Sequence, residues 1–140
     1  MVIGGGDAAA EEALLLARTC GSVTLLHRRD KLRAHDALAR QVLGHPGIHC
    51  RWNAEVVEFL GEDRLQGVVV RDVATRDHAA VGADAAFVAI GHDPNTRLFR
   101  GQLALDGAGY LVPATPGSPR TSVPGVFAAG DVADARSPGR

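Results

Sequence analysis

The sequence predicts an α/β fold in which a parallel sheet is combined with an antiparallel β-meander. Three observations lead to this prediction. The chain opens with a short apolar run, a glycine turn and a helix with one apolar face, which together indicate a β-α-β unit. Several strand-like runs without helical periodicity occupy the middle of the chain. A nearly continuous apolar run from Asp84 to Ile90 is typical of a strand buried in a parallel sheet.

The first β-α-β unit begins with an apolar strand at residues 1–3 and turns through Gly4-Gly5-Gly6. We expect a helix from Ala8 to about Arg18, with Asp7 at its N-cap, because an aspartate there can accept a hydrogen bond from a free backbone N–H. A β-branched strand at residues 22–26 completes the unit. The residues that share the apolar face of the helix are Ala10, Ala13, Leu14 and Ala17.

The later elements are predicted from shorter patterns. A second helix is expected from about Lys31 to Leu43, where Gly44-His45-Pro46-Gly47 breaks it. After Gly91 the chain is richer in proline, glycine and threonine, and a last buried strand is expected at residues 126–129. A polar, structureless tail is expected from Ala133 onwards. The runs that predict the antiparallel meander are residues 48–52, 55–60 and 66–73.

Composition and charge exclude several classes of function. The net charge of −1 gives no general attraction to nucleic acid or to an anionic membrane, so we expect neither partner. No run approaches the ~18 apolar residues of a membrane helix, and no export leader is recognisable, so a cytoplasmic location is expected. The six histidines have no metal-like spacing, and Cys20 and Cys50 form no Cys-x-x-Cys pair. We therefore expect no metal site and no catalytic residue.

The glycine turn carries the pattern Gly4-x-Gly6-x-x-Ala9, which fits a dinucleotide-binding fingerprint. The first glycine permits the tight turn, the second lets backbone approach a pyrophosphate, and the small third residue lets helix and strand pack closely. The helix N-terminus then offers free N–H groups and a positive dipole end to phosphates. These features predict a Rossmann-like dinucleotide-binding domain. The alternative is a glycine-rich turn without a ligand.

An arginine cluster follows the second strand, where an NAD-binding domain would carry an acidic residue for the ribose hydroxyls. The chain has His27-Arg28-Arg29 at this point and Arg33 one helical turn into the next expected element. Guanidinium groups offer forked donors that match phosphate oxygens, whereas a carboxylate would repel them. The cluster therefore predicts a preference for NADPH and its 2′-phosphate. The alternative is a solvated basic loop whose arginines pair with Asp30 and Asp36.

Four segments together resemble the low-molecular-weight bacterial thioredoxin reductases, and they follow that family's order across residues 1 to about 132. The segments are GGGDAAAEEA (4–13), HRRDKLRA (27–34), FVAIGHDPNT (87–96) and TSVPGVFAAGDV (121–132). The resemblance implies an NADPH-binding domain over residues 1–92. It also implies that residues 93–140 are an incomplete, C-terminal segment of an FAD-binding domain.

The resemblance also implies roles for individual residues. Gly91 and His92 would lie near the nicotinamide nucleotide, and Asp131 would bind the ribityl and pyrophosphate part of the flavin. The alternatives are a simple hinge-loop histidine for His92 and a helix N-cap or turn residue for Asp131. Arg28, Arg29 and Arg33 would hold the 2′-phosphate, and the pyrophosphate would lie against Gly4, Gly6, Ala8 and Ala9. Their neighbours that complete the expected cofactor-binding set are Asp7, His27, Ile90 and Gly130.

The family's intact enzyme is a homodimer that moves a hydride from NADPH to FAD and then passes electrons through an enzyme disulfide to thioredoxin. This sequence departs from the family in three places. An FAD-binding glycine motif upstream, a Cys-x-x-Cys pair before Gly4 and a flavin-packing helix after Val132 are all absent. We therefore expect the chain by itself to be a colourless, inactive fragment.

Two alternatives remain open at the level of the sequence. A thioredoxin-reductase-like ferredoxin–NADP reductase, or the reductase component of a peroxide-reducing system, carries a similar arginine loop. The Glu11-Glu12 pair and the Gly-His-x-Pro-Asn segment favour thioredoxin reductase over both. The other alternative is a nucleotide-binding remnant without catalytic activity.

Overall fold

The computed structural model describes residues 1–133, and it divides into two compact units between Ile90 and Gly91. Residues 134–140 of the expected structureless tail lie outside the described residues. Within the part described, no helix is both long enough and apolar enough to cross a membrane. The assignment of residues 1–92 and 93–140 to an NADPH domain and an FAD segment stays a prediction.

The first unit contains a parallel sheet and an antiparallel meander, which confirms the predicted fold class. The parallel sheet has the strand order β3-β2-β1-β7, and the meander has the order β4-β5-β6. In chain order the elements are β1 (Val2–Gly4), α1 (Asp7–Leu16), β2 (Val23–Leu26), α2 (Asp36–Gly44), β3 (Ile48–Arg51), β4 (Ala54–Leu60), β5 (Gly67–Asp72), β6 (His78–Gly82) and β7 (Phe87–Ala89).

The parallel sheet has a hydrophobic core on each face, because successive side chains of a strand point to opposite sides. On one face Val2 and Leu25 pack with Val42 of α2 and with the buried alanines of α1. On the other face Leu26 packs with Val68 and with further apolar residues of the meander. The sheet is therefore the middle of three layers, with helices on one side and the meander on the other.

The first helix is shorter than expected and is capped differently. Gly6 is the N-cap of α1 and no described side chain caps this helix, so the expected N-cap role of Asp7 is wrong. The helix also ends at Leu16 instead of about Arg18. The carboxylate of Asp7 accepts hydrogen bonds from His35 instead, so it is not available to the N–H groups of its own helix.

The second helix begins at Asp36, five residues later than the expected start at Lys31. The backbone N–H groups of Arg33 and Ala34 donate to the carbonyl oxygen of Gly5, at 2.6 and 3.1 Å. These long-range bonds divert the N–H groups of the segment before α2 from helical hydrogen bonds, so it remains a loop with bends and Arg33 lies outside the helix. A sequence pattern that considers only neighbouring residues cannot anticipate these bonds.

Two strand predictions need correction. Strand β3 pairs in parallel with β2 and belongs to the main sheet, whereas the meander consists of β4, β5 and a third strand, β6, that the sequence did not predict. Strand β7 covers only residues 87–89 and is not buried, since Phe87 is 41% exposed and Val88 is 58% exposed. The reason is that, in the part of the chain that the structure describes, β7 is the outermost strand of the sheet and pairs with β1 alone.

The second unit has little regular structure among its described residues. It contains two short 3₁₀ helices, Arg97–Phe99 and Asp131–Ala133, and isolated bridges that join Leu105 to Leu111 and Arg120 to Phe127. The buried strand expected at residues 126–129 is absent, because its pairing is limited to one bridge and Phe127 is 61% exposed. The expected structureless tail begins one residue too early, since Ala133 closes the second 3₁₀ helix.

Candidate functional site

The parallel sheet has a topological switch point at β1 and β7. Strands β2 and β3 lie on one side of β1, whereas β7 lies on the other. In open α/β sheets, ligands bind in the crevice beyond the carboxyl ends of the strands at such a point. Gly4 and Ala89 are register partners at this edge, and Ile90 follows directly. The candidate site is therefore the region beyond the carboxyl ends of the strands, where the glycine turn lies.

The glycines of this turn have different surroundings. A Cβ atom on Gly4 would collide with the carbonyl oxygen of Ala89 and would lie 2.8 Å from the Cβ of Ala9, which is itself fully buried. A Cβ on Gly6 would meet no atom of the described residues within 4 Å. Gly4 and Ala9 are therefore small so that strand and helix can pack closely, whereas Gly6 borders open space that a ligand can enter.

The N-terminus of α1 points its first N–H groups towards the same turn. Because no side chain caps the helix, these groups have no side-chain acceptor among residues 1–133. Free N–H groups and the positive end of a helix dipole together attract anions. Ala8 is exposed in the first turn of the helix, so it leaves this end open. The geometry is suited to a phosphate group at the N-terminus of α1.

The three arginines lie in the loop beside this turn, and all of them are exposed. Arg33 is attached to the turn by its backbone bond to Gly5, and the carbonyl of Arg29 accepts a hydrogen bond of 3.1 Å from the N–H of Asn53. Among residues 1–133, the close contacts between basic and acidic side chains are His35–Asp7 and Arg71–Glu55, so the three guanidinium groups pair with no described carboxylate. This arrangement favours an anion site over the paired basic loop.

His27 is buried beneath the arginine loop, with only 4% of its surface exposed. A Cβ on Gly5 would collide with its imidazole ring, and Trp52 meets the ring edge-on at a centroid distance of 6.5 Å. Its Nε2 atom has no hydrogen-bond partner among the described residues. Burial lowers the pKa of His27, and the positive charges of the three nearby arginines lower it further. The neutral imidazole ring of His27 therefore packs against Gly5 of the glycine turn.

The lowered pKa of His27 predicts a loss of stability in mild acid. Below the ordinary histidine pKa of 6.5, the unfolded chain binds a proton that folded His27 still rejects. Stability is therefore expected to fall as the pH drops from 6.5 towards the pKa of the folded state. Urea unfolding followed by the fluorescence of Trp52, the single tryptophan, would measure this change.

A matched His27→Phe variant keeps an aromatic ring in the same place but cannot be protonated. Between about pH 7.5 and about pH 5.5, we expect this variant to lose less unfolding free energy than the wild-type chain. The wild-type chain contains five other histidines and many carboxylates, which both proteins share, so the difference between them isolates His27. Equal losses in the two proteins would contradict the assignment of this pH dependence to His27.

Two residues of this region had no predicted role, although the structure gives them clear contacts. The carbonyl of Gly5 accepts the bonds from Arg33 and Ala34, and His35 bonds to Asp7 through its backbone N–H and its Nδ1 atom. Gly5 is the unassigned position of the fingerprint Gly4-x-Gly6-x-x-Ala9, so the pattern gave a role to its two neighbours but none to Gly5 itself. His35 fell inside the expected second helix, so the sequence offered no signal for its contact.

The remaining predicted site residues lie at the end of β7 and in the second unit. Ile90 is 66% exposed, and Gly91 has a φ of 97°, which glycine adopts without strain. The carbonyl of His92 accepts a hydrogen bond of 3.2 Å from the hydroxyl of Tyr110. Gly130 has a φ of 79°, and Asp131 follows it as the exposed first residue of a 3₁₀ helix.

Residues 1–133 contain two free cysteines and no cluster of metal-ligating side chains. In this part of the chain no three His, Cys, Asp or Glu side chains are close enough to hold a metal ion. Cys20 is exposed and Cys50 is half-buried, and both are free thiols. Burial raises the pKa of Cys50. This makes its reactive thiolate form less accessible at neutral pH.

Comparisons with known proteins agree with this geometry. The model of the pyridine nucleotide-disulphide oxidoreductase family matches residues 1–140. A thioredoxin reductase from Streptomyces clavuligerus is 50% identical over 134 residues, which cover 96% of this chain and 41% of the relative. One from Streptomyces coelicolor is 49% identical over 133 residues, covering 95% of this chain and 41% of the relative. The chain thus spans about two fifths of the length of these curated relatives.

Solved structures of thioredoxin reductases are also similar to this chain. The thioredoxin reductase of Lactococcus lactis, in its FR conformation, is similar with a TM-score of 0.82 and 37% identity, over 98% of this chain and 45% of that one. The thioredoxin reductase of T. acidophilum has a TM-score of 0.79 and 31% identity, over 96% of this chain and 44% of that one. The similarity includes both described units, because it covers nearly the whole chain.

Proposed function

Because the chain belongs to the pyridine nucleotide-disulphide oxidoreductase family, we propose that it is the NADPH-binding part of a thioredoxin-disulfide reductase. The observation that carries the proposal is the cluster of exposed arginines tied to an open glycine turn at the switch point of the sheet. The relatives described above are all named thioredoxin reductases, which favours this activity over that of a ferredoxin–NADP reductase.

The described residues fit NADPH in three respects. The open space at Gly6 and the uncapped N-terminus of α1 would receive the pyrophosphate. Arg28, Arg29 and Arg33, which pair with no described carboxylate, would receive the 2′-phosphate. Ile90 lies at the same edge of the sheet, where the nicotinamide half of the nucleotide would extend. When bound, NADPH supplies a hydride, and these residues bind and orient the nucleotide that carries it.

The second unit would contribute to an FAD site by the same proposal. Asp131 has an exposed carboxylate that is suited to accept hydrogen bonds from sugar hydroxyls, and Gly130 provides the turn before it. His92 and Gly91 would lie near the nicotinamide nucleotide. For the whole enzyme we propose thioredoxin as the electron acceptor, a homodimeric assembly and a cytoplasmic location. We propose no nucleic-acid or membrane partner.

Isothermal titration calorimetry with NADPH and NADH tests the proposal on the chain as it exists. We expect NADPH to bind at least about tenfold more tightly, because one charged hydrogen bond contributes about 1.5–3 kcal/mol. The same sample is expected to be colourless, since its sequence lacks the family's FAD-binding glycine motif, and to reduce no thioredoxin, since it has no Cys-x-x-Cys pair. Equal affinity for the two nucleotides in a folded sample would overturn the proposal.

A further inference from the structure

We propose that Asp7 and His35 form a clasp that positions Arg33 and thereby sets the preference for NADPH over NADH. The inference rests on the proposed function, since it concerns how the 2′-phosphate is selected. Neither residue has to touch the nucleotide. Asp7 lies in the first turn of α1 and His35 directly precedes α2, so the pair joins the glycine turn to the end of the arginine loop.

The clasp consists of two hydrogen bonds to one carboxylate. The backbone N–H of His35 donates to Oδ1 of Asp7 at 2.7 Å, and Nδ1 of His35 lies 2.5 Å from Oδ2. The backbone bond, followed by the side-chain bond, lowers the pKa of Asp7, so the carboxylate remains ionised at neutral pH. Both oxygens of the carboxylate are therefore engaged by one partner that is 28 residues away.

A second set of hydrogen bonds joins the same two segments. Arg33 and Ala34 donate their N–H groups to the carbonyl of Gly5, so each of residues 33–35 donates a backbone hydrogen bond to either Gly5 or Asp7. Arg33 itself is exposed and pairs with no carboxylate among the described residues, which leaves its guanidinium available. Fixing the backbone on both sides of this side chain reduces the conformational freedom that a bound phosphate would otherwise have to restrict.

Simple electrostatics makes the opposite prediction, which allows a clear test. A carboxylate at the N-terminus of α1 repels phosphates, and NADPH carries more negative charge than NADH. If Asp7 acted only through its charge, removing it would increase the preference for NADPH. If Asp7 acts by positioning Arg33, removing it decreases that preference. The ratio of the two dissociation constants therefore separates the two roles by sign.

The test measures this ratio by calorimetry for Asp7→Ala, His35→Ala and His35→Asn, each in the full 140-residue chain. We expect Asp7→Ala and His35→Ala to lower the preference roughly three- to tenfold, the effect of restoring freedom to one side chain. The asparagine amide can place a donor where Nδ1 stands, so His35→Asn should return the ratio to within about twofold of wild type. A purely structural contact would not show this selective rescue.

Asp36→Ala is the matched control, because Asp36 is an exposed carboxylate next to His35 that makes no hydrogen bond or ion pair among the described residues. Its ratio should remain that of the wild-type chain. Circular dichroism and thermal unfolding would check that each variant folds. If Asp7→Ala does not fold, the His35→Ala and His35→Asn pair decides, since both keep the backbone bond to Asp7.

Failure of the proposed function and failure of the clasp give different results. If the wild-type chain shows no preference for NADPH, the proposed function fails. If the wild-type chain prefers NADPH and Arg33→Ala lowers this preference, whereas Asp7→Ala and His35→Ala leave it unchanged or increase it, only the clasp is overturned. The clasp is also overturned if His35→Ala and His35→Asn give the same ratio.

Discussion

Replacing Gly6 with alanine is expected to weaken NADPH binding strongly while leaving the fold intact. A Cβ at this position meets no atom of the described chain within 4 Å, and the φ of −92° is one that alanine adopts readily. The added methyl group would instead occupy the space that a pyrophosphate needs for close approach to the backbone. We expect a loss of about 1–3 kcal/mol in binding free energy, the cost of forcing a methyl group into a packed contact.

Gly4→Ala is the matched variant, and it should show the reverse behaviour. Its Cβ would collide with the carbonyl of Ala89 and crowd Ala9, so the strain falls on the packing of β1 against β7 and α1. We expect the free energy of unfolding to fall by about 1–3 kcal/mol or more. For Gly6→Ala it should fall by no more than about 1 kcal/mol, because the methyl group meets no described atom and the cost is that of a poorer N-cap for α1. Urea unfolding followed by Trp52 fluorescence measures the stability, and calorimetry measures the binding.

The two variants test whether Gly4 serves close packing and Gly6 serves the approach of the pyrophosphate. If Gly6→Ala binds NADPH as tightly as the wild-type chain, the pyrophosphate does not approach this part of the backbone. If Gly6→Ala unfolds as readily as Gly4→Ala, Gly6 has a packing role that the open space around it does not suggest. The first result would move the nucleotide away from the N-terminus of α1.

Replacing Arg33 with alanine is expected to remove much of the discrimination between NADPH and NADH. A hydrogen bond to a charged group contributes about 1.5–3 kcal/mol, so NADPH affinity should fall by about tenfold or more for each bond lost, with little change for NADH. Arg28→Ala should behave in the same way. Arg33→Lys keeps the charge but loses the forked donor geometry, and it should recover only part of the loss.

Arg40→Ala provides the matched control for charge, because Arg40 is an exposed arginine of α2 that lies outside the loop. Its removal should weaken both nucleotides little and equally. If Arg33→Ala weakens NADPH and NADH by the same factor, the loop contacts a part of the nucleotide that both cofactors share. The assignment of the 2′-phosphate to this cluster would then be wrong, even if the chain binds nucleotides.

Much of the candidate site could be anticipated because its signals are local. The pattern Gly4-x-Gly6-x-x-Ala9 requires a tight turn and close packing, and Gly4 and Ala9 do pack closely in the structure. The contacts of His35 could not be anticipated, because its partner Asp7 is 28 residues away and nothing in the intervening sequence marks the pair. The start of α2 was misplaced for the same reason, since bonds to Gly5 govern the segment that precedes it.

Strand pairing shows the same limit. The run that became β3 was recognised as a strand, but its partner was not, because alternation of side chains specifies a strand without specifying its neighbour. The exposed position of β7 likewise follows from its place at the edge of the sheet, which no count of apolar residues in 84–90 reports.

By itself, the order of residues determined that a glycine turn would connect a strand to a helix, and that three guanidinium groups would follow the next strand. These features depend on backbone conformation and charge over a few neighbouring residues. Only the tertiary structure decided that Gly5 and Asp7 would hold the arginine loop and that the open space would lie at Gly6. Such contacts join residues far apart in the chain, and they form only once the sheet has brought the carboxyl ends of its strands to one edge.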